Sequence, residues 1–130
     1  MATDLAPMPS ADPTRVYLCG IDAAVDVVGG KWKAIILWAL DQRPYRFGEL
    51  RREVDGISEK VLIQQLKELQ RDGIVHREVH EQVPPKVVYS LTPLGEGLNR
   101  ALAPLGEWGQ ANLDHIVGVR NAVVGCSDDC

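Results

Sequence analysis

The spacing of apolar positions changes several times along the chain, and each change marks a new element. Ile21, Ala24, Val25 and Val28 fall at i, i+3, i+4 and i+7, which predicts an amphipathic helix ended by Gly29-Gly30. From Trp32 to Leu40 the run WKAIILWAL is apolar on nearly every side. That pattern predicts a helix enclosed by its neighbours at the centre of the core. After a turn at Gln42 to Pro44, FGELRREV predicts a short third helix with Phe47, Leu50 and Val54 inward and Arg51 and Arg52 outward. Ser58 is a good N-cap for a fourth helix. Its inward stripe is Val61, Leu62, Leu66 and Leu69, its outward face Lys60, Gln64, Lys67 and Arg71, and Gly73 suits the left-handed position after its end.

The period then shortens to two. IVHREVHE and KVVYSL read as strands separated by Gln82 to Pro85, and the Pro-Pro pair there blocks both helix and ladder pairing, so a hairpin is predicted. Thr92 caps a last helix with Pro93 at its first position, and Leu94, Leu98, Leu102, Leu105, Trp108 and Ile116 trace its apolar stripe, with a kink expected at Pro104. The order α-α-α-α-β-β-α makes the chain mainly α with a small β-hairpin, economically explained as a winged helix-turn-helix. Residues 1–14 are rich in Ala, Pro and Asp without an apolar period and read as a disordered arm. Residues 15–117 form the expected domain, and 118–130 a flexible tail.

Charge complicates this picture before it supports it. The formal net charge is −4, unfavourable for a partner rich in phosphates. However, the segment from Lys31 to Tyr89 holds 11 Lys/Arg against 9 Asp/Glu, so the acidity is concentrated in the flanks. No apolar run reaches the roughly 20 residues of a membrane span, and no signal-peptide pattern opens the chain, so a cytoplasmic protein without a membrane partner is expected. Cys19, Cys126 and Cys130 are too few and too scattered for a disulfide framework. No cofactor loop or Ser-His-Asp set is visible, and neither an enzyme nor a cofactor is expected. His76 and His80 have helical metal-ligand spacing, but on a strand they stand about 13 Å apart, too far to share one ion.

Together these residues resemble the HxlR-type regulators, a branch of the MarR-like winged helix proteins. The likeness runs from about Cys19 to Trp108. It rests on Gly29-Gly30-Lys31-Trp32, Arg46-Phe47-Gly48-Glu49-Leu50-Arg51-Arg52, Gly56-Ile57-Ser58, Leu66-Lys67-Glu68-Leu69, Asp72-Gly73, Val83-Pro84-Pro85-Lys86-Val87 and Tyr89-Ser90-Leu91-Thr92-Pro93-Leu94-Gly95. The resemblance implies a homodimer formed through the first and last helices, the fourth helix in the major groove and the wing at the adjoining backbone or minor groove. It also implies a transcriptional regulator, most often a repressor, that in several members responds to oxidants or electrophiles through a cysteine at the position of Cys19. The chain departs from the family pattern at Ile63, where a hydroxyl residue is common, at Val88, where Glu usually precedes the Tyr, and at Gly20, where Pro usually follows the Cys.

The candidate residues follow from both arguments. The 15 residues from Ser58 to Asp72 span about 22 Å as a helix, a rod that fits a major groove about 12 Å wide. Gln64 is the candidate for reading a base edge, and Ile63 for meeting a thymine methyl. Ser58, Lys60, Lys67, Arg46 and Lys86 are candidates for phosphate contact, with Arg51 framing the same surface. Dimer contacts are expected at Ile21, Val25, Leu98, Leu102, Leu105 and Trp108. Cys19 sits at a helix N-terminus near Arg15, a setting that makes a thiol more reactive, although Asp22 works against it. The expected partners are a second copy, an imperfect palindrome of double-stranded DNA, and an oxidant or small-molecule effector. Two other readings remain open: a regulator controlled by a small ligand at the dimer interface, and a winged helix that docks on proteins.

Overall fold

The computed structural model describes residues 15–121. The arm expected over 1–14, Cys126 and Cys130 lie outside the described residues. The order is α1 (Gly20–Val28), α2 (Trp32–Leu40), β1 (Tyr45–Arg46), α3 (Phe47–Glu53), α4 (Glu59–Arg71), β2 (Val75–His80), β3 (Lys86–Leu91), α5 (Pro93–Ala111) and α6 (Leu113–Arg120). Six helices therefore surround a three-stranded antiparallel sheet ordered β1-β3-β2 among the described residues. The hairpin registers Val75 against Leu91 and His80 against Lys86, which leaves residues 81–85 as the tip of a wing.

The core joins Ile36, Leu37, Ala39 and Leu40 of α2 to Leu50, Leu62, Leu66 and Leu69 of α3 and α4, with Tyr45, Val75 and Tyr89 from the sheet. The α4 stripe packs inward because its apolar residues recur every three or four positions, one side of a 3.6-residue turn. Ser58 Oγ accepts from the Val61 N–H at 3.1 Å, and Gly73 takes φ 77° beyond the last turn, so both ends of α4 stop where their residues favour stopping. Asn99 ties α5 to α2 by donating from Nδ2 to the Leu37 carbonyl at 2.7 Å.

Three features depart from the pattern-based expectation. Tyr45–Arg46 forms a third strand against Tyr89 and Val88, a pairing supplied by β3 and invisible in two residues alone. The last helix is divided at Asn112, not at Pro104. Asn112 leaves the helical region at φ −114° and ψ 19° while its N–H and its Nδ2 both donate to the Trp108 carbonyl, at 3.1 and 2.9 Å, whereas Pro104 and Arg100, whose carbonyl loses its donor, both lie exposed. Helix α2 is not fully enclosed, because Ile35 and Trp38 form an open apolar face. Helix α1, by contrast, leaves open the two positions expected at a dimer contact: Val27 and Val28 rest against the core, while Ile21 is 76% exposed and Val25 57%.

Candidate nucleic-acid interface

Because Leu62, Leu66 and Leu69 lock one side of α4 into the core, the rotation of the helix about its axis is fixed. Lys60, Ile63, Gln64 and Lys67 are consequently exposed together on the opposite side. These positions are three, four and seven residues apart, one continuous stripe about two turns long. Glu59, Lys60, Ile63 and Gln64 line a shallow groove along it. Ser58 stands at the N-terminal end of the same helix. Its oxygen is engaged as the cap acceptor, but its O–H can still donate outward.

Flanking elements add cations. Arg46 occupies the junction of β1 and α3, where its N–H donates to Glu49 Oε1 at 3.0 Å while its side chain is exposed. That N–H, and then the Arg43 guanidinium, hold the Glu49 carboxyl below its ordinary value of 4.5. Arg43 itself lies 3.9 Å from the Tyr45 ring centroid and is thereby held at the sheet edge. Arg51, on the last turn of α3, reaches Glu59 Oε1 at 3.6 Å. Lys86 opens β3 opposite His80 and is half-buried against the wing. At the wing tip Val83 is 98% exposed.

Pattern reading missed two residues behind this surface. Glu68 accepts from Gln64 Nε2 at 2.8 Å through one oxygen and from Lys33 Nζ at 2.5 Å through the other. Lys33 is only 7% exposed. The two bonds, with Lys33 the larger influence, hold the Glu68 carboxyl below its ordinary 4.5. Both had a signal: Lys33 is the lone cation inside WKAIILWAL, and Glu68 follows Gln64 by four residues on a helix.

Away from α4, Cys19 is exposed at the extended N-cap position of α1. The nearby charges are arranged differently from the expectation. Arg15 pairs with Asp26 at 3.7 Å and lies over the Tyr17 ring, and Tyr17 donates to Asp26 Oδ2 at 2.5 Å. Asp22 accepts from the Leu18 N–H at 3.0 Å. These bonds strap the segment before Cys19 onto α1, with Arg15 facing Asp26. His76 and His80 both lie on β2. Among the expected dimer residues, Leu98 and Leu102 already rest partly against the chain's own core, whereas Ile21, Val25, Leu105 and Trp108 are exposed. No helix among the described residues is long and apolar enough to cross a membrane.

Comparison with known proteins agrees with this geometry. Residues 27–117 match the family model described as HxlR-like helix-turn-helix. The chain is 45% identical over 103 residues to the uncharacterized HTH-type transcriptional regulator YybR of Bacillus subtilis, covering 79% of this chain and 82% of YybR. Among solved structures, the redox regulator HypR in its reduced form is similar with a TM-score of 0.73 and 44% identity, over 77% of this chain and 99% of that one. A transcriptional regulator of the MarR family from Enterococcus faecalis V583 is similar with a TM-score of 0.68 and 39% identity, over 83% of this chain and 98% of that one. With a capped helix presenting one polar stripe beside an antiparallel wing, and with a family match across that whole region, this chain belongs to the HxlR-like helix-turn-helix family of transcriptional regulators.

Proposed function

We propose that the protein is a homodimeric repressor that reads an imperfect palindrome through α4 and responds to oxidants or electrophiles through Cys19. The observation that carries the reading is the fixed rotation of α4, whose buried leucines leave Lys60, Ile63, Gln64 and Lys67 on one outward stripe. In the groove, Gln64 meets a base edge and Ile63 a thymine methyl, while Ser58, Lys60, Lys67, Arg46, Arg51 and Lys86 meet phosphates on either side. Dimerisation is supported by the exposed apolar residues of α1 and α5, which a soluble monomer would leave in water. The two-fold axis then sets the half-sites about 10 bp apart, or a multiple of it.

The test is titration of fluorescent duplexes carrying the sequence upstream of the protein's own reading frame, with a scrambled duplex beside it, at several salt concentrations. Tight binding to the first and steep salt dependence are expected. Lys67→Ala weakens both duplexes alike and lowers the salt slope by about 1. Gln64→Ala loses about 1–3 kcal/mol on the specific duplex only. Equal loss on both duplexes removes Gln64 from base reading, and absent or salt-insensitive binding favours a protein-docking module instead.

Oxidant sensing is supported by the exposure of Cys19 and by the likeness to HypR, which has been solved in reduced and oxidised forms. Oxidation joins the Cys19 sulfur to a second sulfur, with two electrons and two protons passing to the oxidant. The second sulfur comes from the partner copy, from Cys126 or Cys130, or from a small cellular thiol. Diamide should release wild-type protein from the duplex and leave Cys19→Ser bound. Release of both proteins alike would exclude Cys19.

A further inference from the structure

The candidate base-reading side chain is already engaged by a neighbour on its own helix. Gln64 Nε2 donates to one oxygen of Glu68 at 2.8 Å, and the other oxygen of that carboxylate accepts from Lys33 Nζ at 2.5 Å. Lys33 rises from α2 beside Ile36 and Leu37, both fully buried, so this ammonium is anchored in the packed core. A relay of two hydrogen bonds thus links the core to the outward end of Gln64.

The relay also determines which way round the amide lies. An ionised carboxylate only accepts, so the amide must turn its NH₂ towards Glu68; the opposite rotation would set lone pairs against lone pairs. One N–H is committed to Glu68, and Gln64 presents Oε1 and its second N–H outward. Adenine alone offers a matching major-groove edge, an N6 donor beside an N7 acceptor. Guanine presents acceptors at both O6 and N7, one of which would face Oε1. Thymine offers the O4 acceptor, and cytosine a single donor.

We infer that Glu68, clamped by Lys33, is a positioning residue that fixes the amide of Gln64 and restricts it to adenine at one position of each half-site. The inference rests on the reading that Gln64 touches a base. Glu68 itself touches no DNA. If a glutamine replaced it, Lys33 would hold the new Oε1, and the new NH₂ would face Gln64. The Gln64 amide would then turn over and offer its donors outward, the pattern that suits guanine.

The experiment is selection from a pool of duplexes with a randomised half-site by the full chain, comparing wild type, Gln64→Ala, Glu68→Gln and the double variant Lys33→Met/Glu68→Leu. Wild type should show one Gln64-dependent position with about tenfold preference for adenine. Glu68→Gln should cut that preference about fivefold or more and move it towards guanine, leaving other positions unchanged. Removing a negative charge near DNA also raises affinity, but for all sequences alike, so the base preference isolates the positioning role. Should Glu68→Gln unfold for want of a partner to buried Lys33, the double variant Lys33→Met/Glu68→Leu removes both charges and leaves Gln64 no acceptor to hold its NH₂, so the adenine preference must still fall. Retention of that preference in folded Glu68→Gln or the double variant, or a Gln64-dependent position that prefers another base, overturns the inference. A Gln64→Ala profile identical to wild type instead overturns the base contact on which it rests.

Discussion

Gly95 shows how a single residue can govern the junction between the recognition unit and the last helix. A Cβ built there would fall on the Ile74 carbonyl oxygen, a backbone atom that cannot swing aside. The approach is that close because Thr92 Oγ1 donates to the Gly73 carbonyl at 2.6 Å and accepts from the Gly95 N–H at 3.0 Å, pinning the first turn of α5 to the end of α4. Gly95→Ala should therefore destabilise the fold by about 1–3 kcal/mol through overpacking, measured by thermal or urea unfolding. Glu68 makes a prediction of a different kind. Its carboxyl is held below the ordinary 4.5, by Lys33 first and Gln64 second, so the folded state binds this proton less readily than the unfolded chain. The resulting stabilisation is complete above that ordinary value and fades as pH falls through the lowered one. Glu68→Gln should flatten the stability curve between pH 5 and the acid limit in roughly that window, and an unchanged slope would deny the ion pair any such role.

At the scale of elements, the cap of α4 separates folding from binding. Ser58→Ala removes the bond to the Val61 N–H and should cost about 1 kcal/mol of stability. Ser58→Asp keeps a capping oxygen and suits the positive end of the helix dipole, so its melting temperature should stay near wild type. Its DNA affinity should nevertheless fall, because a carboxylate then faces the phosphates, and equal affinity for both would place Ser58 outside the interface. The start and rotation of α4 were readable from Ser58 and the leucine spacing because both are local properties. Elements that depend on distant partners were not. Tyr45 and Arg46 become a strand only when Tyr89 and Val88 arrive from 40 residues or more away. The stripe of α1 was legible as a stripe, but its destination was not, since periodicity shows which residues share a face and says nothing about what covers it. The Lys33–Glu68 pair escaped for a similar reason: it joins positions 35 residues apart, and only the Gln64–Glu68 half is local.

For the molecule as a whole, the distribution of apolar surface decides how a dimer can be tested cleanly. Ile21, Val25, Leu105 and Trp108 are all more than half exposed, whereas Leu98 and Leu102 of the same α5 stripe already pack against the core. A charge at Leu102 would damage the monomer and the interface together, leaving a loss of binding uninterpretable. Leu105, at 64% exposure, carries no such double burden. Leu105→Glu should sediment near 14.3 kDa where wild type sediments at about twice that mass, with helix content by circular dichroism unchanged. Its affinity for a palindromic duplex should drop steeply towards that for a single half-site, because the second α4 no longer binds as a tethered partner at high effective concentration. Affinity for the isolated half-site should be retained, since Lys60, Ile63, Gln64 and Lys67 are positioned by α4 and the core of one chain. A dimer that survives Leu105→Glu with palindrome affinity intact would move the two-fold contact away from this face.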